Sequence, residues 1–253
     1  MAAKSRSNDQ TQEAVEKAIQ KEKRGGEPAL LTLARGGRPE ELSSLLNKGH
    51  TDINVAERVY GCSSLHIAAL NGNAGCVKLL VSRMANVDSC LKDGATPLYI
   101  SCEFQHFECA RQLIECRASV NAATTRGATP LHIASVKGNN QLIRLLCDNR
   151  ADINQAMKNR VTPLYLAAQL AGAETVRLLL DRTANIDAAR RNGATPLLIA
   201  TLKDNADIVQ LLVDRKANVD AAKRNGLCPL IAAASAGSPE LLSLFITPTL
   251  RRT

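Results

Sequence analysis

The same short pattern returns along the chain every 33 residues. Most repeats begin with glycine and one begins with Arg160; the glycines are Gly61, Gly94, Gly127, Gly193 and Gly226. A second pattern keeps this register, because ANVD, ASVN, ADIN, ANID and ANVD begin at residues 85, 118, 151, 184 and 217. A fixed period of roughly 20–50 residues is the signature of repeat proteins, so the chain is predicted to be an array of copies of one structural element.

Residues 193–225 show what one repeat contains. Gly193 allows a turn that other residues resist, Thr195 can cap a helix, and Pro196 fits the first helical turn. Apolar residues follow at helical spacing, and a second apolar face begins at Ile208 after a polar break. Helices of under about 10 residues do not persist alone in water, so each repeat is predicted to be stable only when stacked on its neighbours.

The helix starts carry a resemblance to a known family. They read TPLY at 96–99, TPLH at 129–132, TPLY at 162–165 and TPLL at 195–198, with degenerate forms SSLH at 63–66 and CPLI at 228–231. On these residues the chain resembles the ankyrin repeat family, whose 33-residue repeat opens its first helix with TPLH. The resemblance implies an all-α ankyrin-repeat solenoid of stacked helix-turn-helix units with projecting finger loops.

The boundaries follow from this register. The ankyrin repeat domain is predicted over residues 27–246, with repeats at 27–60, 61–93, 94–126, 127–159, 160–192, 193–225 and 226–246. Residues 1–26 are predicted to be either an N-terminal tail or a short capping helix. Residues 247–253 are predicted to be a C-terminal tail.

One position departs from the family pattern throughout. The family usually has Gly just before the ADVN element, where the second helix ends in a left-handed residue, but here the position holds Met84, Arg117, Arg150, Thr183 and Lys216. A residue other than Gly in that conformation costs roughly 1 kcal/mol. Either the chain tolerates this cost repeatedly, or these loops adopt another shape.

Histidine and cysteine are the residues that could suggest chemistry. His66 and His132 occupy the fourth position of the helix start, where the resemblance implies a structural hydrogen bond around the repeat junction; His50 and His106 are isolated. No C-x-x-C pair suggests a zinc site. We therefore interpret the clustered cysteines as small buried apolar residues rather than ligands; they are Cys62, Cys76, Cys90, Cys102, Cys109 and Cys116.

Basic residues form two groups. One group ends the second helices, where it complements the helix dipole beside acidic neighbours. The other lies on the finger loops, and it comprises Lys92, Arg126, Lys158, Arg160, Arg190, Arg191, Lys223 and Arg224. Four of these occupy one finger position, so stacking would align Lys92, Lys158, Arg191 and Arg224 in a row. The finger group serves either solubility or the binding of an acidic partner.

Apolar residues near the ends of the first helices form a second candidate surface. The family commonly turns these positions toward its ligands on the concave face, and here they are Leu70, Phe104, Val136, Leu170 and Leu202. Exposed contiguous apolar surface usually marks a partner site. For Leu70, Val136 and Leu202, packing between helices is the competing interpretation.

Two loop asparagines resemble modification sites of the family. Asn54 ends the segment LLNKGHTDIN and Asn154 ends LLCDNRADIN. The resemblance implies hydroxylation of both side chains at Cβ by a dioxygenase.

Composition narrows the functional classes. The chain has no phosphate-binding loop, acid–base pair, metal-ligand cluster or nucleophile motif, so we expect neither an enzyme nor a cofactor. The net charge is +8, but 24 acidic residues are interspersed with 32 basic ones, and aromatic residues are only 2%. Scattered aromatics and mixed charge do not favour nucleic-acid binding.

The sequence therefore predicts a non-catalytic scaffold or adaptor that binds a protein partner through the concave face and finger loops. The alternatives are binding of an acidic partner, nucleic acid or an anionic membrane through the basic fingers, or a regulatory or inhibitory subunit of an enzyme. No window has the roughly 18 consecutive apolar residues of a membrane span, and the first residues have no apolar secretory core. We expect a monomer in the cytoplasm or nucleus, with reduced thiols.

Overall fold

The computed structural model describes residues 28–49, 51–57 and 60–250, with side chains through residue 246. The predicted tail or capping helix at residues 1–26 lies outside the described residues. The chain divides into two compact units, an N-terminal unit of residues 1–125 and a C-terminal unit of residues 126–253. Each unit consists of paired short helices joined by tight turns.

The described part of the N-terminal unit holds helices α1 to α6. Their bounds are Ala29–Gly36, Pro39–Asn47, Ser64–Leu70, Ala74–Ser82, Pro97–Glu103 and Phe107–Glu115. First helices pack on first helices, as α1, α3 and α5 do, and second helices pack on second helices, as α2, α4 and α6 do. The stacking buries apolar surface that no single helix pair could bury alone.

The described part of the C-terminal unit holds helices α7 to α14. Their bounds are Pro130–Lys137, Asn140–Asp148, Pro163–Leu170, Ala173–Asp181, Pro196–Leu202, Ala206–Asp214, Pro229–Ala236 and Pro239–Leu250. The last helix, α14, extends past residue 246, where the sequence predicted the repeat domain to end. The two rows of helices stack here as they do in the N-terminal unit.

The first helices begin as their sequence predicts. Thr96, Thr162 and Thr195 accept hydrogen bonds from the backbone N–H three residues ahead, at 3.2, 3.3 and 3.2 Å. Proline follows each of these threonines and occupies the first helical turn, where its missing N–H costs nothing. The TP pattern therefore fixes where these three first helices start.

The core is made of aliphatic residues contributed by successive repeats. Leucines of the first helices are fully buried at equivalent positions; examples are Leu98, Leu131, Leu164 and Leu197. In the C-terminal unit, Val161, Tyr165, Ala194, Leu198 and Ala232 form one buried cluster across three repeats. Together with the helix pairing, this packing confirms the predicted all-α stack of helix-turn-helix units.

The positions at which this chain lacks the family's glycine adopt a left-handed backbone. Met84, Arg117, Arg150, Thr183 and Lys216 have φ between 65° and 66°. Arg160, which replaces the repeat's opening glycine, has φ 64°. The chain therefore tolerates the strained conformation at each of these positions instead of reshaping its loops.

Candidate partner-binding surface

The apolar residues predicted near the ends of the first helices differ in their exposure. Phe104 follows α5 in the N-terminal unit and is 48% exposed, whereas Leu70 packs partly against the cluster of Ala69, Ala95 and Ile100. The packing interpretation is therefore the better one for Leu70. Phe104 remains available to a partner.

In the C-terminal unit, the exposed members of the predicted set are Leu170 and Leu202. They are the last residues of α9 and α11, two helices that pack on each other, and they are 55% and 48% exposed. Val136 is only half-buried. The packing interpretation is wrong for Leu202, because about half of its side chain stays exposed at the helix end.

The finger loops of the C-terminal unit are tied together by their main chain. The N–H of Lys158 donates to the carbonyl of Arg126 at 3.1 Å, and the N–H of Arg191 donates to the carbonyl of Asn159 at 3.0 Å. The N–H of Arg224 repeats the pattern with Asn192 at 3.1 Å. These bonds hold Lys158, Arg191 and Arg224 in the predicted row.

The finger cations of this unit remain uncompensated. Arg126, Lys158, Arg160, Arg190, Arg191 and Arg224 are exposed, and Lys223 is half-buried. Among residues 126–250, none of these cations lies within 4.0 Å of a carboxylate as an ion pair. The guanidinium of Arg191 donates only to the carbonyl of Lys158, at 3.1 Å.

The N-terminal unit presents a different finger. Lys92 is exposed and its N–H donates to the carbonyl of Tyr60 at 3.0 Å, but Asp93 follows it directly in the sequence. Tyr60 itself is 69% exposed, a feature that sequence reasoning missed. Because residues 58 and 59 lie outside the described ranges, the tip around Tyr60 is described only in part.

Two of the basic residues near the ends of the second helices have a structural role. Arg182 pairs with Asp148 and Arg215 pairs with Asp181, each at 2.8 Å. Each pair joins one repeat to the preceding one. Exposed ion pairs of this kind stabilise by less than about 1 kcal/mol.

The histidines of the helix starts also join repeats. The N–H of Thr129 donates to Nδ1 of His132 at 3.2 Å, so Nε2 carries the proton and donates to the carbonyl of Val161 at 3.2 Å. Burial lowers the pKa of His132 to about 4. His66 makes the same pattern with Ser63 and Ala95, and burial lowers its pKa too. The predicted structural role of both histidines is confirmed.

His106, which the sequence left isolated, bonds to the neighbouring repeat as well. Its Nε2 lies 3.0 Å from the carbonyl oxygen of Leu70. Unlike His66 and His132, it stands before the second helix of its repeat rather than at the start of the first.

The cysteines differ in burial according to their position in the repeat. Cys76, Cys102 and Cys109 are buried, and burial raises the pKa of these thiols to about 11, 12 and 11. Cys90 and Cys116 are exposed, so the interpretation as buried apolar residues is wrong for them. Cys90 lies on a finger and Cys116 directly follows α6.

The two candidate hydroxylation sites hold successive loops together. Oδ1 of Asn54 accepts the N–H of Asn86 at 2.8 Å, and Oδ1 of Asn154 accepts the N–H of Asn185 at 2.7 Å. Nδ2 of Asn154 also donates to the carbonyl of Thr183 at 3.4 Å. Equivalent bonds are made by Asp88 and Asp187. Hydroxylation of Asn54 and Asn154 stays a prediction.

The last described repeat exposes apolar residues that its predecessors bury. Leu230 and Ile231 of α13 are 44% and 50% exposed, whereas Leu197 and Leu198, at the same positions of the preceding repeat, are fully buried. No further helix of the described residues packs on this face.

Two other features of the described ranges bear on function. No group of three His, Cys, Asp or Glu side chains is arranged there to hold a metal ion. Nor is any helix within those ranges long and apolar enough to cross a bilayer.

These features define a class of protein, a repeat array with exposed side chains at its helix ends and fingers. The family model described as ankyrin repeats (3 copies) matches residues 1–89, 65–157, 118–190 and 164–250. The chain belongs to the ankyrin repeat family. Ankyrin repeat domains generally mediate protein–protein interaction and are typically non-catalytic.

Known proteins share parts of the sequence and most of the fold. Cortactin-binding protein 2 of Rattus norvegicus is 42% identical over 80 residues, which are 30% of this chain and 4% of that protein. The chain thus spans a small fraction of that relative. The human ASB11 ankyrin repeat domain superposes with a TM-score of 0.76 at 30% identity, over 85% of this chain and 96% of the other.

A second solved structure is more distant in sequence. The ankyrin repeat domain of Bcl-3, described as a unique member of the IkappaB protein family, superposes with a TM-score of 0.79. It is 24% identical and covers 87% of this chain and 98% of its own. At that identity the likeness bears on the fold alone.

Proposed function

We propose that this chain is an interaction scaffold or adaptor that binds a protein partner through the exposed ends of its first helices and its finger loops. The observation that supports this most is the exposure of Leu170 and Leu202 at 55% and 48%, on helices whose other apolar residues are largely buried. Phe104 offers a similar contact on the N-terminal unit. Side chains of this size gain about 1.5–3 kcal/mol when a partner buries them fully.

Buried polar groups of the repeats are already used for folding. Thr162 and Thr195 cap helices, and His132 holds a repeat junction. The exposed apolar side chains have no such structural role in the fold. They fit the central contacts of an interface, where a few large side chains carry most of the binding energy.

The experiment captures partners with the full chain and compares two double variants. Leu170→Ala with Leu202→Ala removes the proposed contacts. Met84→Ala with Ile246→Ala removes exposed apolar side chains of similar size, one just beyond the end of α4 and one in α14, and serves as the control. We expect a partner that the wild type and the control capture, and that binds the Leu170/Leu202 variant at least roughly tenfold more weakly.

Circular dichroism confirms that each variant is folded before its affinity is measured. Unchanged affinity of the folded Leu170/Leu202 variant for every captured partner would contradict the proposed function. Phe104→Ala, tested separately, reports on the N-terminal unit.

A further inference from the structure

The finger tips of the two units differ in charge. We define the C-terminal finger tips as residues 155–161, 188–194 and 221–227. Each holds two basic residues and no acidic one: Lys158 and Arg160, Arg190 and Arg191, Lys223 and Arg224. In the N-terminal unit, the sequence of the tip at 55–61 has Glu57 beside Arg58, and that of the tip at 89–95 has Asp93 beside Lys92.

The fold keeps the C-terminal finger tips in register. Main-chain bonds join each tip to the preceding loop, from Lys158 to Arg126, from Arg191 to Asn159 and from Arg224 to Asn192. Packed helices lie about 8–10 Å apart, which is close to the Debye length of about 8 Å at physiological salt. The potentials of successive tips therefore overlap into one positive strip.

The carboxylate of Asp187, which precedes one of the tips in the sequence, does not neutralise the strip. Its Oδ1 accepts the N–H of Asn218 at 2.9 Å. Among the described residues, Asp187 forms no ion pair with a tip cation. Cations placed together at fixed spacing without carboxylate partners attract external anions.

We propose that the C-terminal finger tips bind an acidic segment of the partner protein, in which Asp and Glu alternate with apolar residues that contact Leu170 and Leu202. This inference rests on the proposed function and names the chemistry of the partner. The tips lead directly into the first helices, and the two leucines end those helices. A helix of eight residues is about 12 Å long, which an extended segment of about four residues spans.

The remaining side chains favour a protein segment over nucleic acid. Base stacking on exposed aromatic rings supports the binding of single strands. The aromatic residues of the C-terminal unit are Tyr165 and Phe245, which are 3% and 5% exposed. The exposed leucines instead offer apolar contacts that a phosphate backbone cannot use.

Fluorescence anisotropy with the full chain tests the proposal. The probe is a labelled synthetic peptide of Glu pairs alternating with Leu, compared with a Lys–Leu peptide and a Glu–Ser peptide. We expect the Glu–Leu peptide to bind most tightly, and its affinity to fall roughly tenfold or more as salt rises from about 50 to about 300 mM. The triple variant that carries Lys158→Glu, Arg191→Glu and Arg224→Glu should bind the Glu–Leu peptide roughly tenfold or more weakly than the wild type.

A second triple variant controls for net charge. Lys78→Glu, Arg144→Glu and Arg177→Glu reverse exposed cations of the second helices, and this variant should keep its affinity within about twofold. Equal loss in both triple variants would overturn the proposal. So would absent binding of the Glu–Leu peptide, or tighter binding of single-stranded DNA, duplex DNA or phosphatidylserine vesicles.

The same variants separate this inference from the proposed function. If the finger-tip variant binds the captured natural partner with unchanged affinity and salt dependence, the acidic-segment inference fails and the scaffold function stands. If the Leu170/Leu202 variant binds that partner normally, the proposed surface itself fails.

Discussion

At the scale of single residues, the ends of the second helices hold side chains in a backbone geometry that glycine adopts more easily. Thr183 and Lys216 both have positive φ, at 66° and 65°. Crowding between Cβ and the following carbonyl opposes this conformation. Glycine would relieve that crowding, although it would also loosen the unfolded chain.

Thr183→Gly with Lys216→Gly should therefore stabilise the protein. We expect each substitution to raise the free energy of unfolding by roughly 0.5–1 kcal/mol, and the urea midpoint to rise while the slope stays unchanged. Ala151→Gly, at a residue without positive φ, is the control and should lower the midpoint. A lower midpoint for the double variant would show that the steric cost is smaller than the entropic one.

His132 makes stability depend on pH. Burial lowers its pKa from 6.5 to about 4, so the unfolded chain binds a proton at a pH where the folded chain does not. The free energy of unfolding should fall as pH drops from about 6.5 to about 4, by on the order of 3 kcal/mol, and this contribution should level off below that range. The Asp152 carboxylate weakens the effect by favouring the charged ring.

The variant His132→Leu isolates this contribution, since Leu198 occupies the same position in another repeat. The substitution removes the cap bonds, so the variant should be less stable than the wild type near neutral pH. Urea unfolding at a series of pH values should show that its free energy of unfolding falls less steeply as pH drops. His66 shifts in the same direction and should supply part of the residual slope. If the free energy of unfolding of the variant fell with pH as steeply as that of the wild type, His132 would not be the source of the pH dependence.

At the scale of helices, burial depends on whether another repeat follows. Leu198 is fully buried between neighbours, whereas Ile231, at the same position of the next repeat, is 50% exposed. The two residues have similar size. Truncating each of the two residues therefore measures how much stacking contributes to the free energy of unfolding at one position of the repeat.

Leu198→Ala should lower the free energy of unfolding by about 2–4 kcal/mol, because it leaves a cavity in the stacked core. Ile231→Ala should lower it by less than about 1 kcal/mol. Urea unfolding followed by circular dichroism provides both values. Comparable losses would mean that Ile231 is covered in solution.

Local sequence signals predicted most of the helices, because each signal acts within its own repeat. Thr195 and Pro196 specify a helix start by their own bonding, and Gly193 permits its turn with φ 89°. Exposure at the helix ends could not be predicted in the same way. Val136 and Leu202 share one position of the repeat, yet they differ in burial because that depends on the side chains of adjacent repeats.

The candidate site was predicted only in outline for the same reason. The repeat spacing identifies the basic finger residues and makes Lys92 and Lys158 equivalent. Their surroundings differ, because Asp93 follows Lys92 whereas the tip that holds Lys158 has no acidic residue. The exposure of Cys90 and Tyr60 likewise depends on loop packing. Periodicity reports which residues are equivalent, whereas function depends on how equivalent positions differ.

At the scale of the whole molecule, a repeated scaffold carries unequal surfaces. The N-terminal unit has finger tips of balanced charge and exposes Phe104, whereas the C-terminal unit has basic finger tips and exposes Leu170 and Leu202. Repeats that share one pattern provide the stability of each unit. The residues that vary between repeats are the ones available for recognition.

Hydrogen–deuterium exchange of the full chain, with and without its captured partner, tests this account most directly. We predict that the partner slows exchange in residues 155–161, 188–194 and 221–227 and at the ends of α9 and α11, with little change in the second helices α8, α10 and α12. Protection confined to those second helices, with the finger tips exchanging as in the free protein, would contradict it.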